Sequence, residues 1–112
     1  MRYKGIVQKG REYGKTLGFP TLNIKIDGDA VSGIFAANVT IEAKTYPAAA
    51  YTDLSRGVLE AYLLDYSGDL YGKEIEIELL KKIREDETFA DEASLKTAIA
   101  ADVAKIREYF TL

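Results

Sequence analysis

Residues 58–83 read VLEAYLLDYSGDLYGKEIEIELLKKI, and their patterning decides the fold class. In the second half, Ile75, Ile77 and Leu79 alternate with Glu74, Glu76 and Glu78. That is the period of a strand with one buried and one wet face. The first half, 58–66, is also β in composition. It places Leu59, Ala61 and Leu63 on one face and Val58, Glu60, Tyr62 and Leu64 on the other. Between them Ser67-Gly68-Asp69 is a turn signal. The stretch predicts a hairpin, with Tyr66 and Tyr71 flanking it as packing residues.

Working outward, four more segments have strand character. They are 3–8, 22–26, 33–42 and 45–51. In 33–42, Phe35, Ala37, Val39 and Ile41 share a face. The 45–51 run is weaker, and Pro47, which lacks an N–H, predicts an edge or a bulge there. From Asp91 to Phe110 the period changes. Leu95, Ile99, Val103, Ile106 and Phe110 form a helical stripe, with Asp91 as its N-cap and Glu92 at the positive end of the dipole. Six short strands and one C-terminal helix predict a mainly β fold: a six-stranded antiparallel closed barrel, with the helix over one opening or one flank.

Composition bounds the chemistry. The 112 residues suit one domain over 1–112, with 47% hydrophobic and 29% charged residues. No run reaches the roughly 20 apolar residues of a membrane span, and MRYKGIVQKG lacks a signal-peptide core. We therefore expect a cytoplasmic protein with no membrane partner. With no Cys and no His, thiolate nucleophiles, Ser–His–Asp triads and soft-ligand metal sites are excluded. A general base must be Asp, Glu, Lys or Tyr, and a metal must be a hard cation such as magnesium. The net charge of −3 offers no footprint for nucleic acid, and we expect a monomer.

The segment GREYGKTLGFPTLNI, 10–24, holds the densest chemistry. Gly10, Gly14 and Gly18 permit positive φ and close approach of a ligand to the backbone. Successive N–H groups in such a loop can cradle a phosphate, with Arg11 and Lys15 adding charge. Thr21 and Asn23, two apart on an extended chain, share a face and carry neutral oxygens suited to a hard cation. GREYGKT is one residue short of a Walker A loop and runs into a strand. The plainer alternative is a glycine-rich turn followed by a strand with its polar residues in water.

GKTLGFPTLNI closely resembles the GxxLGFPTxN signature of riboflavin kinases, the flavokinase domain also found in bacterial bifunctional FAD synthetases. SGIFAANV at 32–39 is similar to that family's GvYav strand, and LEAYLLDYSGDLYGKEIEIELLKKIREDETF at 59–89 to its block before the final helix. The helix DEASLKTAIAADVAKIR, 91–107, resembles the family's last element. The resemblance covers nearly the whole chain, in order, and implies the same six-stranded barrel.

The resemblance also implies a reaction, the transfer of the ATP γ-phosphoryl to riboflavin to give FMN and ADP with Mg2+. It implies that Thr21 and Asn23 contact metal and nucleotide, that Gly10, Gly14 and Lys15 cover the phosphates, and that Glu60 is the catalytic base. A carboxylate within an apolar strand is independently notable, because it must be paired, solvated or used. The alternative for Glu60 is the wet end of an edge strand, or a partner in Arg56 or Lys73. Arg84, Glu87 and Phe89 fall in the implied flavin-side loop. The alternative there is a solvated charge run with Phe89 as a hydrophobic staple.

The chain departs from the family pattern in three ways. The segment after Tyr46-Pro47 is short and lacks an IGxxPT piece that helps build the nucleotide-side wall, leaving Thr52, Asp53 and Ser55 as candidate replacements. Tyr62 stands where a His is usual, and Glu12 lies in the phosphate loop. No part resembles an adenylyltransferase, so the expected product is FMN and not FAD, from either a stand-alone kinase or a domain of a longer protein. The rival function is a flavin- or nucleotide-binding module without chemistry on the same barrel.

Overall fold

A computed structural model describes residues 2–8, 21–26, 31–66, 68 and 70–111. Among the described residues six strands and a helix follow one another: β1 (Arg2–Ile6), β2 (Leu22–Lys25), β3 (Ile34–Ile41), β4 (Lys44–Asp53), β5 (Val58–Leu63), β6 (Glu74–Arg84) and α1 (Glu92–Tyr109). All strand pairings are antiparallel, in the order β1-β6-β3-β4-β5-β2. The two ends of the sheet meet where Gln8 bridges to Asn23, its N–H donating to the Asn23 carbonyl at 2.8 Å. The barrel is therefore nearly closed, with a seam of one bridge among the described residues.

Alternation sets what fills it. Ile24, Phe35, Val39, Leu59, Ile75 and Ile77 point inward and are buried in one cluster. Each such side chain contributes about 1.5–3 kcal/mol on leaving water. The opposite face of β3 and β4 carries a second cluster. Ala36 and Ala49 are register partners there, and both are wholly buried. Their small side chains let α1 approach the sheet, so that Val103 and Ile106 pack directly on them. The helix flanks the outer wall and does not cover an opening. Asp91 caps it as expected, accepting from the Ser94 N–H at 2.7 Å. Arg107 ties it to the end of β5 by donating to the Leu64 carbonyl at 3.0 Å.

Two expectations are corrected. Residues 58–83 do not form a hairpin: β5 pairs with β4 and β2, and β6 with β3 and β1. The connection crosses a barrel end and sends Leu70 into the core. Tyr66 packs edge-on against Tyr46, with centroids 4.9 Å apart, while Tyr71 is exposed. Ser67 and Asp69 of the turn signal lie outside the described residues. Nor is β4 an edge. Pro47 sits within it, opposite Asn38 of β3. Its carbonyl accepts from the Leu64 N–H just past the end of β5. Its missing donor thus falls where the β4–β5 ladder stops, and little is lost.

Gly33 opens β3 at φ +126, and a Cβ there would stand 2.6 Å from Lys82 Cε and 2.9 Å from the Arg84 carbonyl. A side chain at 33 would push the start of β3 off the end of β6.

Candidate active site

Thr21, Asn23 and Glu60 meet on the outer wall where β2 lies beside β5. Leu22 and Ile24 turn inward, so Thr21 and Asn23, offset by one, turn outward. Likewise Leu59 and Ala61 face the core and Glu60 faces out. Asn23 and Glu60 are register partners. The Asn23 carbonyl is engaged with Gln8 on the other side, which makes this a non-hydrogen-bonded pair, the kind with Cα atoms about 4.5 Å apart and close side chains. The Thr21 hydroxyl donates to Glu60 Oε1 at 3.0 Å.

Burial sharpens the chemistry. Asn23 is only 4% exposed, and its Oδ1 has no hydrogen-bond partner among the described residues. An orphaned buried oxygen is unfavourable by about 1–3 kcal/mol unless something binds it. With the Thr21 hydroxyl and the Glu60 carboxylate it forms a set of hard oxygen donors. Among the described residues no group of three Asp or Glu side chains is placed to hold a metal. A cation here would take one or two protein oxygens and complete its shell with phosphate and water, as magnesium does.

Glu60 does not lie on an edge strand. Of its two considered partners, Lys73 is bonded to Glu42 at 2.6 Å, whereas Arg56 Nη1 lies 3.9 Å from Glu60 Oε2. Arg56 is delivered by the short β4–β5 turn. Asp53 Oδ1 accepts there from the Ser55 hydroxyl at 2.7 Å and from the Arg56 N–H at 3.2 Å. The third replacement residue, Thr52, is buried and accepts from the Gly33 N–H at 2.9 Å.

The polar line continues across the sheet. Glu60 is in register with Tyr51, Tyr51 with Ile34, and Ile34 with Arg84. The Tyr51 hydroxyl is buried without a partner among the described residues. Burial, and then the carboxylate of Asp102, push its pKa well up, so it remains a neutral phenol. At the far end Arg84 is held bidentately by Asp102, Nε to Oδ1 at 2.8 Å and Nη2 to Oδ2 at 2.9 Å. This bond raises the Arg84 pKa further. The guanidinium lies over the Phe89 ring, 5.5 Å from its centroid. Arg84 and Phe89 thus stand together, four strand positions from Asn23. Glu87 is exposed. Gly10, Gly14, Lys15 and Glu12 lie outside the described residues.

Sequence reasoning did not single out Asp102 or Tyr51. Asp102 carried a usable signal, since it falls three residues after Ile99 and four before Ile106, on the buried stripe of α1. Tyr51 carried none, because its neighbours come from strand pairings between distant segments.

The fold is a nearly closed antiparallel barrel that brings a carboxylate, a hydroxyl and a buried amide oxygen without a partner among the described residues together on its outer wall. The chain belongs to the riboflavin kinase family, whose flavokinase model matches residues 1–110. The bifunctional riboflavin kinase/FMN adenylyltransferase of Escherichia coli K12 is 38% identical over 117 residues, covering 96% of this chain and 37% of that protein. The chain spans just over a third of the length of such curated relatives. A riboflavin kinase structure from Trypanosoma brucei superposes with a TM-score of 0.69 at 26% identity, over 98% of this chain and 76% of that one. A structure described as a macrolide-efflux protein from Streptococcus pneumoniae gives 0.82 at 26% identity, over 95% of this chain and 38% of that one. No helix among the described residues is long and apolar enough to cross a membrane.

Proposed function

We propose that this chain is a riboflavin kinase that moves the γ-phosphoryl of ATP to the 5′-hydroxyl of riboflavin, giving FMN and ADP. The supporting observation is the convergence of Thr21, Asn23 and Glu60 on one wall, in a chain that belongs to the family. Glu60 accepts the proton of the primary hydroxyl as its oxygen attacks phosphorus. Thr21 holds one carboxylate oxygen in place and leaves the other for the substrate. Asn23 Oδ1 and the Thr21 hydroxyl oxygen would hold Mg2+, which would supply charge neutralisation at the phosphates. Gly10, Gly14 and Lys15 cover the phosphates. Arg84 and Phe89 receive the flavin, with Glu87 beside them, so that the ring lies toward β6 and the ribityl chain runs along the outer wall to Glu60. The protein acts as a cytoplasmic monomer.

Titration with riboflavin, followed by addition of ATP with Mg2+ and chromatography of the flavins, tests this. The expected result is saturable flavin binding and conversion to FMN. Flavin held without product would place the chain among binding modules and overturn the kinase reading.

A further inference from the structure

Arg84, which lies along the register line that contains Glu60, and Arg56, beside Glu60, are in different states. Arg84 is engaged by a buried carboxylate through two short bonds. Arg56 is not. Its Nη1 lies 3.4 Å from Asp53 Oδ2 and 3.9 Å from Glu60 Oε2, both longer than the roughly 2.7–2.9 Å of a strong charge-assisted bond. Its Nε and Nη2 make no hydrogen bond among the described residues. The side chain is 28% exposed, so it is partly shielded and still reachable. Among those residues it is the one cation within 4 Å of Glu60.

We propose that Arg56 is a further catalytic residue, whose guanidinium binds the γ-phosphoryl oxygens of the nucleoside triphosphate and neutralises them during transfer. The inference rests on the kinase reading above. A hydroxyl that gives its proton to Glu60 lies about 3 Å from the carboxylate. The phosphorus lies about 3–3.5 Å beyond that oxygen in a near-attack arrangement. Arg56 already stands 3.9 Å from the same carboxylate, within a few ångströms of where that phosphorus would lie. In the step, the hydroxyl oxygen bonds to the γ-phosphorus. The bond from that phosphorus to the β-phosphate oxygen breaks, and its electron pair leaves on the nucleoside diphosphate. The proton goes to Glu60, and Arg56 forms no covalent bond. Its planar fork suits two phosphoryl oxygens at once.

The turn explains how the arginine is aimed. Asp53 takes the Arg56 N–H on one carboxylate oxygen and faces its guanidinium with the other. Gly57, at φ +65, then returns the chain into β5 within a few residues.

The test uses the full chain as wild type, Arg56→Gln and Arg56→Lys. It measures melting temperature, riboflavin binding by fluorescence, and kcat and KM for both substrates. Wild type that forms no FMN would overturn the kinase reading itself, before any variant is compared. With wild type active, Arg56→Gln is expected to lower kcat by about 10²–10³-fold with unchanged riboflavin binding. Added guanidinium ion at sub-denaturing concentration is expected to restore part of the loss. A folded Arg56→Gln protein with near-wild-type kcat, changed only in melting temperature, would show a structural ion pair and overturn the inference. Should Arg56→Gln not fold, Arg56→Lys decides. A loss of about tenfold or more in kcat supports the role, and wild-type kcat overturns it.

Discussion

The hydroxyl of Thr21 donates to a carboxylate oxygen of Glu60 across 3.0 Å, joining the residue before β2 to the middle of β5. The bond orients the carboxylate. Thr21→Ser should therefore keep most turnover and Thr21→Ala should lose it. Glu60→Gln keeps the shape and removes the basicity. It should bind riboflavin normally and lose about 10²–10⁴-fold in kcat, as FMN formation and a binding titration would measure. Near-normal turnover in Glu60→Gln would reject the base.

Asp102 is 2% exposed, and its counter-charge among the described residues is Arg84. Removing one member of a buried pair typically costs about 3–5 kcal/mol. Because the Arg84 side chain is 23% exposed, Asp102→Asn is expected at about 3 kcal/mol, read by urea unfolding. The double change Asp102→Leu, Arg84→Met should recover much of that stability while weakening riboflavin binding. Unaltered binding would argue against a flavin contact by Arg84.

Tyr51 buries a hydroxyl that no described residue satisfies. Tyr51→Phe deletes it at nearly constant shape, so stability should hold or rise by up to about 1 kcal/mol. A loss beyond that range in denaturant unfolding would mean that the hydroxyl is bonded after all.

The Asp91 cap links stability to acid. The Ser94 N–H and hydroxyl hold its carboxyl below the usual range, so the folded value lies under the unfolded one. The cap's full contribution is therefore present above about pH 4 and fades as pH falls through the depressed value. Melting temperatures between pH 6 and 2 should drop less steeply for Asp91→Asn, which keeps a capping oxygen and cannot titrate. Parallel curves for the two proteins would dismiss the linkage.

Strand and helix identities were legible because alternation and helical spacing are local. The partners of each strand were not. The Ser67-Gly68-Asp69 signal predicts a reversal of the chain without naming the neighbour, and the core's need for Leu70 is a three-dimensional demand. The site followed a similar division. Parity alone put Thr21 and Asn23 on one face, whereas Glu60 came from the family resemblance, with the oddity of a carboxylate among apolar residues as partial support. Their meeting depended on the β2–β5 register. Pro47 misled because its missing donor matters only on the side where a ladder continues. Ala48–Ala50 looked weak as strand, yet Ala49 is small because a helix must lie against it.

Asn23 belongs to two structures at once. Its backbone forms the bridge to Gln8 at the seam, and its side chain stands on the outer wall in register with Glu60. The amide of Gln8 is therefore a built-in reporter. Ligands that steady Asn23 should slow deuterium uptake at that single position, so occupancy of the outer wall can be followed from the opposite strand without a chromophore.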